Sequence, residues 1–187
     1  MFGSSDEFSG SSPGFRRIFA TFGPIAKISH FMRKLNLPAY EFRYKYEDGN
    51  PMVLDVYRKR YVTFTPEEEV RQRFARYLVE EKGYPASLVL TEYALKLNRQ
   101  TRRCDILVHK PAGRPALLVE CKAPGVPIRQ DTFDQVARYN LIFRVSYLMV
   151  TNGMKHYCCH VDFGSGKITF LKDLPAYGEL VVQAEPT

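Results

Sequence analysis

The chain has 187 residues, enough for one domain with a substantial core. Its hydrophobic fraction of 45%, with 13 Phe and 12 Tyr, excludes an intrinsically disordered protein, and its net charge of +7 suits a polyanion partner without requiring one. Cysteines at 104, 121, 158 and 159 lack the density of a secreted disulfide scaffold and the CxxC spacing of a zinc site, so reduced thiols in a cytoplasm are expected. The apolar runs are short and broken by charge, well under the roughly 20 residues needed to cross a bilayer, so no membrane partner is expected.

Residues 1–31 begin Gly/Ser-rich and turn poorly periodic, as expected of a disordered leader or an upstream extension. From Tyr40 the pattern changes. Tyr40, Phe42, Tyr44 and Tyr46 alternate with Glu41, Arg43 and Lys45, which is the period of a strand. Asp48-Gly49-Asn50-Pro51 is turn chemistry, and the β-prone run Met52 to Phe64 follows it. Residues 32–64 thus predict an N-terminal β-hairpin, with Arg58-Lys59-Arg60 expected on a solvated strand edge and, as the alternative, in contact with phosphates.

Thr65-Pro66-Glu67-Glu68 predicts a helix start, with Thr65 as N-cap, Pro66 in the first turn and Glu68 closing a capping box. Val70, Phe74, Tyr77 and Leu78 recur at helical spacing until Gly83-Tyr84-Pro85 stops the helix. Strands follow at Ser87–Leu97, Arg103–His109 and Ala116–Lys122, separated by the polar turn Asn98–Thr101 and the loop Pro111–Pro115. A helix from Gln130 to Phe143 and a buried strand from Ser146 to Val150 come next. Tyr157–Phe163 and Lys167–Leu171 predict a C-terminal hairpin around Gly164-Ser165-Gly166. The fold expected is α/β: a core over residues 65–177 in the order αβββαβ, a mixed sheet flanked by helices, with a hairpin at each end and a peripheral tail over 178–187.

The chemistry sits on the hairpin Arg103–Lys122. With its loop centred between Ala112 and Gly113, Asp105 falls opposite Glu120, their Cβ atoms roughly 4.5–5.5 Å apart, and Lys122 projects from the same face. Cys104 falls opposite Cys121 on the other face. Two adjacent carboxylates repel unless a cation lies between them, and oxygen ligands select a hard ion such as Mg²⁺ or Mn²⁺. The backbone carbonyl of Cys121 is a further candidate ligand, and Lys122 is placed to orient a water or neutralise developing charge. The plain alternative is a surface ion pair between Glu120 and Lys122, with Asp105 merely ending a strand.

Cys104-Asp105 and Glu120-Cys121-Lys122, on strands of this order, resemble the PD-(D/E)XK nuclease core, with Cys104 in place of the usual Pro. Gln135-Val136-Ala137-Arg138-Tyr139 matches the QxxxY pattern of RecB-like and type I restriction nucleases, and places Gln135 and Tyr139 on one helix face. Residues from about Leu35 to Tyr177 further resemble the N-terminal domain of type I restriction enzyme R subunits in a small stand-alone form. The resemblance implies a cytoplasmic Mg²⁺-dependent DNA endonuclease in which Asp105, Glu120, Lys122, Gln135 and Tyr139 form the site. DNA and helicase or other restriction-system subunits are the implied partners, and a homo-oligomer is compatible with it. Gly164-Ser165-Gly166-Lys167 is no Walker loop, because Val161 and Ile168 stand where glycine and a hydroxyl residue are needed, so ATP use falls to a partner or is missing.

Glu68 and Glu92 are weaker candidates for an additional carboxylate, since capping and a solvent-facing strand position also explain them. Arg71, Arg73 and Arg76, with Arg129, Arg138 and Arg144, are candidates for a phosphate-binding wall or for solvated helix faces. The alternative function is a catalytically inactive nucleic-acid-binding or interaction module of the same fold.

Overall fold

The computed structural model describes residues 34–97 and 100–182. The leader expected over 1–31 and the centre of the turn expected at Asn98–Thr101 lie outside the described residues. Tyr44–Glu47 (β1), Asn50–Asp55 (β2) and Arg60–Thr63 (β3) form an antiparallel three-stranded sheet rather than the expected hairpin. The run from Met52 to Phe64 is split by the side chain of Asp55, whose Oδ1 accepts the N–H groups of Tyr57 and Arg58 and turns the chain there. Arg58 is consequently pulled inward and is not on a strand edge. Val53 and Phe64 fill the small core of this sheet, flanked by Phe42, Tyr44 and Val62.

Helix α1 (Pro66–Glu80) starts as its cap predicts, with Thr65 Oγ1 accepting the Glu68 N–H at 3.0 Å. The reciprocal half of the capping box is not made, because the Glu68 carboxylate turns to Arg58, Arg71 and Gln72. After a short 3₁₀ turn, Val89–Leu97 (β4), Gln100–His109 (β5) and Pro115–Cys121 (β6) run as an antiparallel meander. Gln130–Phe143 (α2) crosses over to Tyr147–Thr151 (β7), which pairs parallel to β6. His156–Val161 (β8) and Ile168–Leu171 (β9) complete a six-stranded sheet in the order β4-β5-β6-β7-β8-β9.

The sheet is mixed and buried on both faces at its centre. Every residue of β7 is buried, as is every residue of β6 after Pro115, which explains their continuous apolar runs. One face packs on α1 through Val70, Phe74, Leu78, Ile106, Val119 and Met149. The other packs on α2 through Val136, Phe143, Leu107, Leu118 and Val150. Residues 177–182, expected within or beside a peripheral tail, form a short helix α3 (Tyr177–Val182) whose Leu180 is fully buried in the α1-side core. Amphipathic spacing over so few residues is too brief to read from sequence.

Candidate active site

The β5–β6 register is the one the sequence suggests near the site: Ile106 pairs with Val119, Leu107 with Leu118, and Val108 with Leu117. It slips by one residue at the loop end, where a bulge between Val108 and His109 pairs His109 with Pro115. The paired register stops at Ile106↔Val119, so Asp105 and Glu120 stand just past it, where the two strands part. There Asp105 Oδ2 accepts the N–H of Cys121 at 2.6 Å. The next N–H, that of Lys122, bonds to Thr151 O in β7 at 2.8 Å. By strand alternation, the N–H and carbonyl of Cys121 therefore both face the β5 side, towards Asp105.

The alternation of β5 resets at Asp105. Cys104 and Leu107 lie in the α2-side core while Ile106 and Val108 lie in the α1-side core. The neighbouring strand resets at the same level, where Glu92 takes a left-handed φ of 54° and Leu90 and Tyr93 share the α2 side. A side chain in that conformation costs about 1 kcal/mol or more. The expectation that Cys104 and Cys121 share a face is therefore overturned: they belong to opposite cores, and all four cysteines are free. Strict period-two counting cannot see a double reset of this kind.

On the α2 side, Glu120 Oε1 accepts from Lys122 Nζ and from Gln135 Nε2, each at 2.7 Å. Gln135 Nε2 also lies 3.4 Å from the Tyr139 hydroxyl, and Tyr139 packs on the α2-side core. Glu120, Lys122, Gln135 and Tyr139 thus meet as the sequence suggests. Asp105 does not form the expected ladder pair with Glu120 on that face: its carboxyl accepts the N–H of Cys121 and lines the cleft at the start of α1 with Thr65 and Glu67.

The electrostatics of the pair are unusual for carboxylates. Burial, and then the charge of Glu120, push the Asp105 carboxyl up to about 7, against the opposing bond from Cys121 N–H. Burial also raises Glu120, although Lys122 and Gln135 oppose the shift. Burial works against the Lys122 charge, but its bond to Glu120 and the charge of Glu120 raise it on balance. The negative charge is under-compensated.

Glu67, in the first turn of α1, was not singled out by sequence reasoning. It is exposed, its charge acts on Asp105, Glu120 and Lys122 together, and it lines a cleft of about 240 Å³ with Asp105, Glu92 and Thr65. The signal for it was the acidic run Glu67–Glu69 at a capped helix start. Glu68 reaches the rim of the cleft but is held by Arg58, Arg71 and Gln72. Glu92 lies on β4 level with Asp105 and is bonded by Arg103 at 2.9 Å.

The arginine wall does not form as a unit. Arg71 is buried between Asp55 and Glu68, and Arg73 lies 2.7 Å from Glu69 without aligned hydrogen bonds. Arg76 pairs with Glu80 and lies over the Tyr40 ring, while Arg144 lies over Phe163. Arg129 and Arg138 are exposed and make no ion pair among the described residues.

Among the described residues no three His, Cys, Asp or Glu side chains group as a metal cluster. Two carboxylates and one backbone carbonyl are nevertheless an all-oxygen set suited to a hard cation that keeps water and phosphate as its other ligands. Their raised protonation is what such a cation would relieve.

The chain thus folds as a mixed α/β sheet of αβββαβ order, flanked by α1 and α2, with Asp105, Glu120 and Lys122 where the β5–β6 hairpin parts. Residues 66–175 match the family model described as type I restriction enzyme R protein N terminus (HSDR_N), and the chain belongs to that family. No curated protein matches it. Among solved structures, the chain is similar to a fragment assigned as the HsdR subunit of a type I restriction enzyme from Vibrio vulnificus YJ016. The identity is 21%, the TM-score 0.48, and the match covers 63% of this chain and 25% of that one. The chain thus spans a quarter of that relative's length. Among the described residues no helix is long and apolar enough to cross a membrane.

Proposed function

We propose that the chain is a Mg²⁺-dependent DNA endonuclease domain, the cutting part of a larger restriction system. The observation that carries this reading is the pair Asp105 and Glu120. Both carboxyls are pushed up by burial, and they stand at the end of a parted ladder with Lys122 beside them. Asp105, Glu120 and the Cys121 carbonyl would hold the ion, with Mn²⁺ able to substitute. When bound, the ion polarises the phosphate and makes water a better nucleophile.

The remaining roles belong to the protein. Lys122 orients the attacking water and offsets charge on the phosphate as the P–O bond to the leaving sugar breaks. Gln135 fixes the rotamer of Glu120, and Tyr139 supports Gln135 from the same helix face. Glu92, and then Glu67, add negative potential at Asp105 that favours cation uptake. DNA is the substrate, and helicase or other restriction subunits are the partners that would supply ATP-driven translocation.

The test is nicking of supercoiled DNA in Mg²⁺ by the wild type, Asp105→Ala and Lys122→Ala. We expect loss of at least about a hundred-fold in both variants, the scale set by removing a principal charge-stabilising group. Equal activity in all three would reject the assignment. The second reading, a non-cutting binding module, draws on Glu120 already accepting from both Lys122 and Gln135. Metal-free DNA binding unaltered by loss of both carboxylates, in a wild type that never nicks, would establish it instead.

A further inference from the structure

The chain leaves the carboxylate site through a short loop, Ala123-Pro124-Gly125-Val126, which joins Lys122 to the segment before α2. Val126 N–H closes a turn on Ala123 O at 2.9 Å. Gly125 is exposed and Val126 is 42% exposed, so burial does not hold this loop in place. What reaches it from outside is the side chain of Asn152, whose Nδ2 donates to Val126 O at 2.9 Å.

Asn152 directly follows β7 and is buried. Its Oδ1 accepts the N–H groups of Met154 and Lys155 at 3.0 and 2.8 Å. The two ends of the amide thus serve different segments: the oxygen shapes its own turn, and the nitrogen holds the neighbouring loop. The turn is itself braced. Gly153 has a φ of 77°, and a Cβ there would lie 3.0 Å from Val70 Cγ2 and 3.1 Å from Leu35 Cδ2, so α1 and the chain ahead of β1 press against it. Asn36 N–H donates to Gly153 O at 2.7 Å. The Thr151 hydroxyl accepts Gly153 N–H at 3.0 Å and lies 2.8 Å from His156 Nδ1, while His156 Nε2 lies 2.8 Å from Asn36 O. The carbonyl of the same Thr151 takes Lys122 N–H. Support therefore runs from the braced turn to the exposed loop.

We infer that Asn152 is a positioning residue for Lys122. The Thr151 carbonyl holds the lysine backbone at its own N–H, and Asn152 holds the chain four residues further on. A lysine side chain has many rotamers, so its ammonium meets Glu120 and a reacting group reproducibly only from a fixed backbone. The inference rests on the role proposed for Lys122 and deepens it, since Asn152 acts through the lysine and not by contact with DNA or metal.

The test is Asn152→Asp, which keeps an oxygen for Met154 and Lys155 but replaces the donor to Val126 with a second acceptor. Asn152→Ser is its uncharged companion: it keeps a turn-forming oxygen and is too short to reach Val126. Amide hydrogen exchange of the full chain in EDTA, read by NMR, should quicken roughly five- to ten-fold at Lys122 and Val126 in both variants, the scale of one lost hydrogen bond. Met154, Lys155 and the core strand residues Leu118 and Met149 should exchange as in wild type. In nicking, both variants should lose about ten-fold in kcat at an unchanged half-saturating Mg²⁺ concentration, and Asn152→Asp should cost nothing further in a Lys122→Ala background. Unchanged exchange at Lys122 and Val126 would overturn the inference. So would a loss of kcat that is equally large without Lys122, or a lowered melting temperature with wild-type kcat, either of which would leave Asn152 a purely structural residue. A wild type that never nicks would remove the proposed function, while the exchange rates would still decide whether Asn152 holds the lysine segment.

Discussion

Two groups of carboxylates meet near the start of α1, and they are built on opposite principles. In the first, Asp55, Glu68 and Glu92 face Arg58, Arg71 and Arg103, three acids against three guanidinium groups. Burial alone would raise Asp55, yet the Arg71 charge and the bonds from Arg58 hold it below the usual carboxylate range. In the second, Asp105 and Glu120 share one ammonium, Glu67 adds its charge to both, and both carboxyls are raised. The balanced group satisfies itself and joins the three-stranded sheet to α1. The unbalanced group keeps charge that, on the proposed reading, a bound cation would offset. Burial and acidity alone do not mark a site; under-compensation does.

The largest effect expected from breaking this contrast is at Arg71. Arg71→Ala leaves Asp55, fully buried, without its main counter-charge, and should cost about 3–5 kcal/mol in chemical denaturation. A smaller effect, opposite in sign, is expected at the other group. Asp105 is raised in the folded state, so its contribution to stability is fully present below the unfolded value near 3.8 and is lost as pH rises through about 7. Metal-free wild type should therefore lose melting temperature between pH 5 and 8, and Asp105→Asn should flatten that decline. Asp55 works the other way: its contribution is present above its unfolded value and is lost as pH falls. An Asp105→Asn protein whose melting temperature follows wild type across that range would show that the pair is not under-compensated. The smallest effect is at Gln135. Gln135→Ala should weaken Mg²⁺ binding about ten-fold by releasing Glu120, with little change in the fold.

Much of this architecture was readable in advance because its signals are local. Thr65 and Pro66 start α1, the helix from Gln130 to Phe143 has the bounds its periodicity gives, and the apolar run of β6 marks a central strand. Glu120, Lys122, Gln135 and Tyr139 were legible because spacings of two and four fix a shared face on strand and helix. What was hidden depends on tertiary contacts. The turn at Arg58 is imposed by the Asp55 carboxylate within a run of β-formers. The reset at Asp105 and Glu92 involves two strands at once, so neither sequence alone departs from alternation visibly. The arginines of α1 look like a solvated cationic face until their partners Asp55 and Glu69 are in place. Glu67 was overshadowed by Glu68, whose capping pattern was the stronger local signal.

The most direct test is isothermal titration of Mg²⁺ into the wild type, Asp105→Ala and Glu120→Gln at pH 8 and again at pH 6. The account predicts binding by the wild type that is tighter at pH 8 and releases protons, because the ion displaces them from raised carboxyls. Both variants should lose it. Equal binding by wild type and variants, or wild-type affinity that does not change between the two pH values, would contradict the reading of Asp105 and Glu120 as an under-compensated cation site.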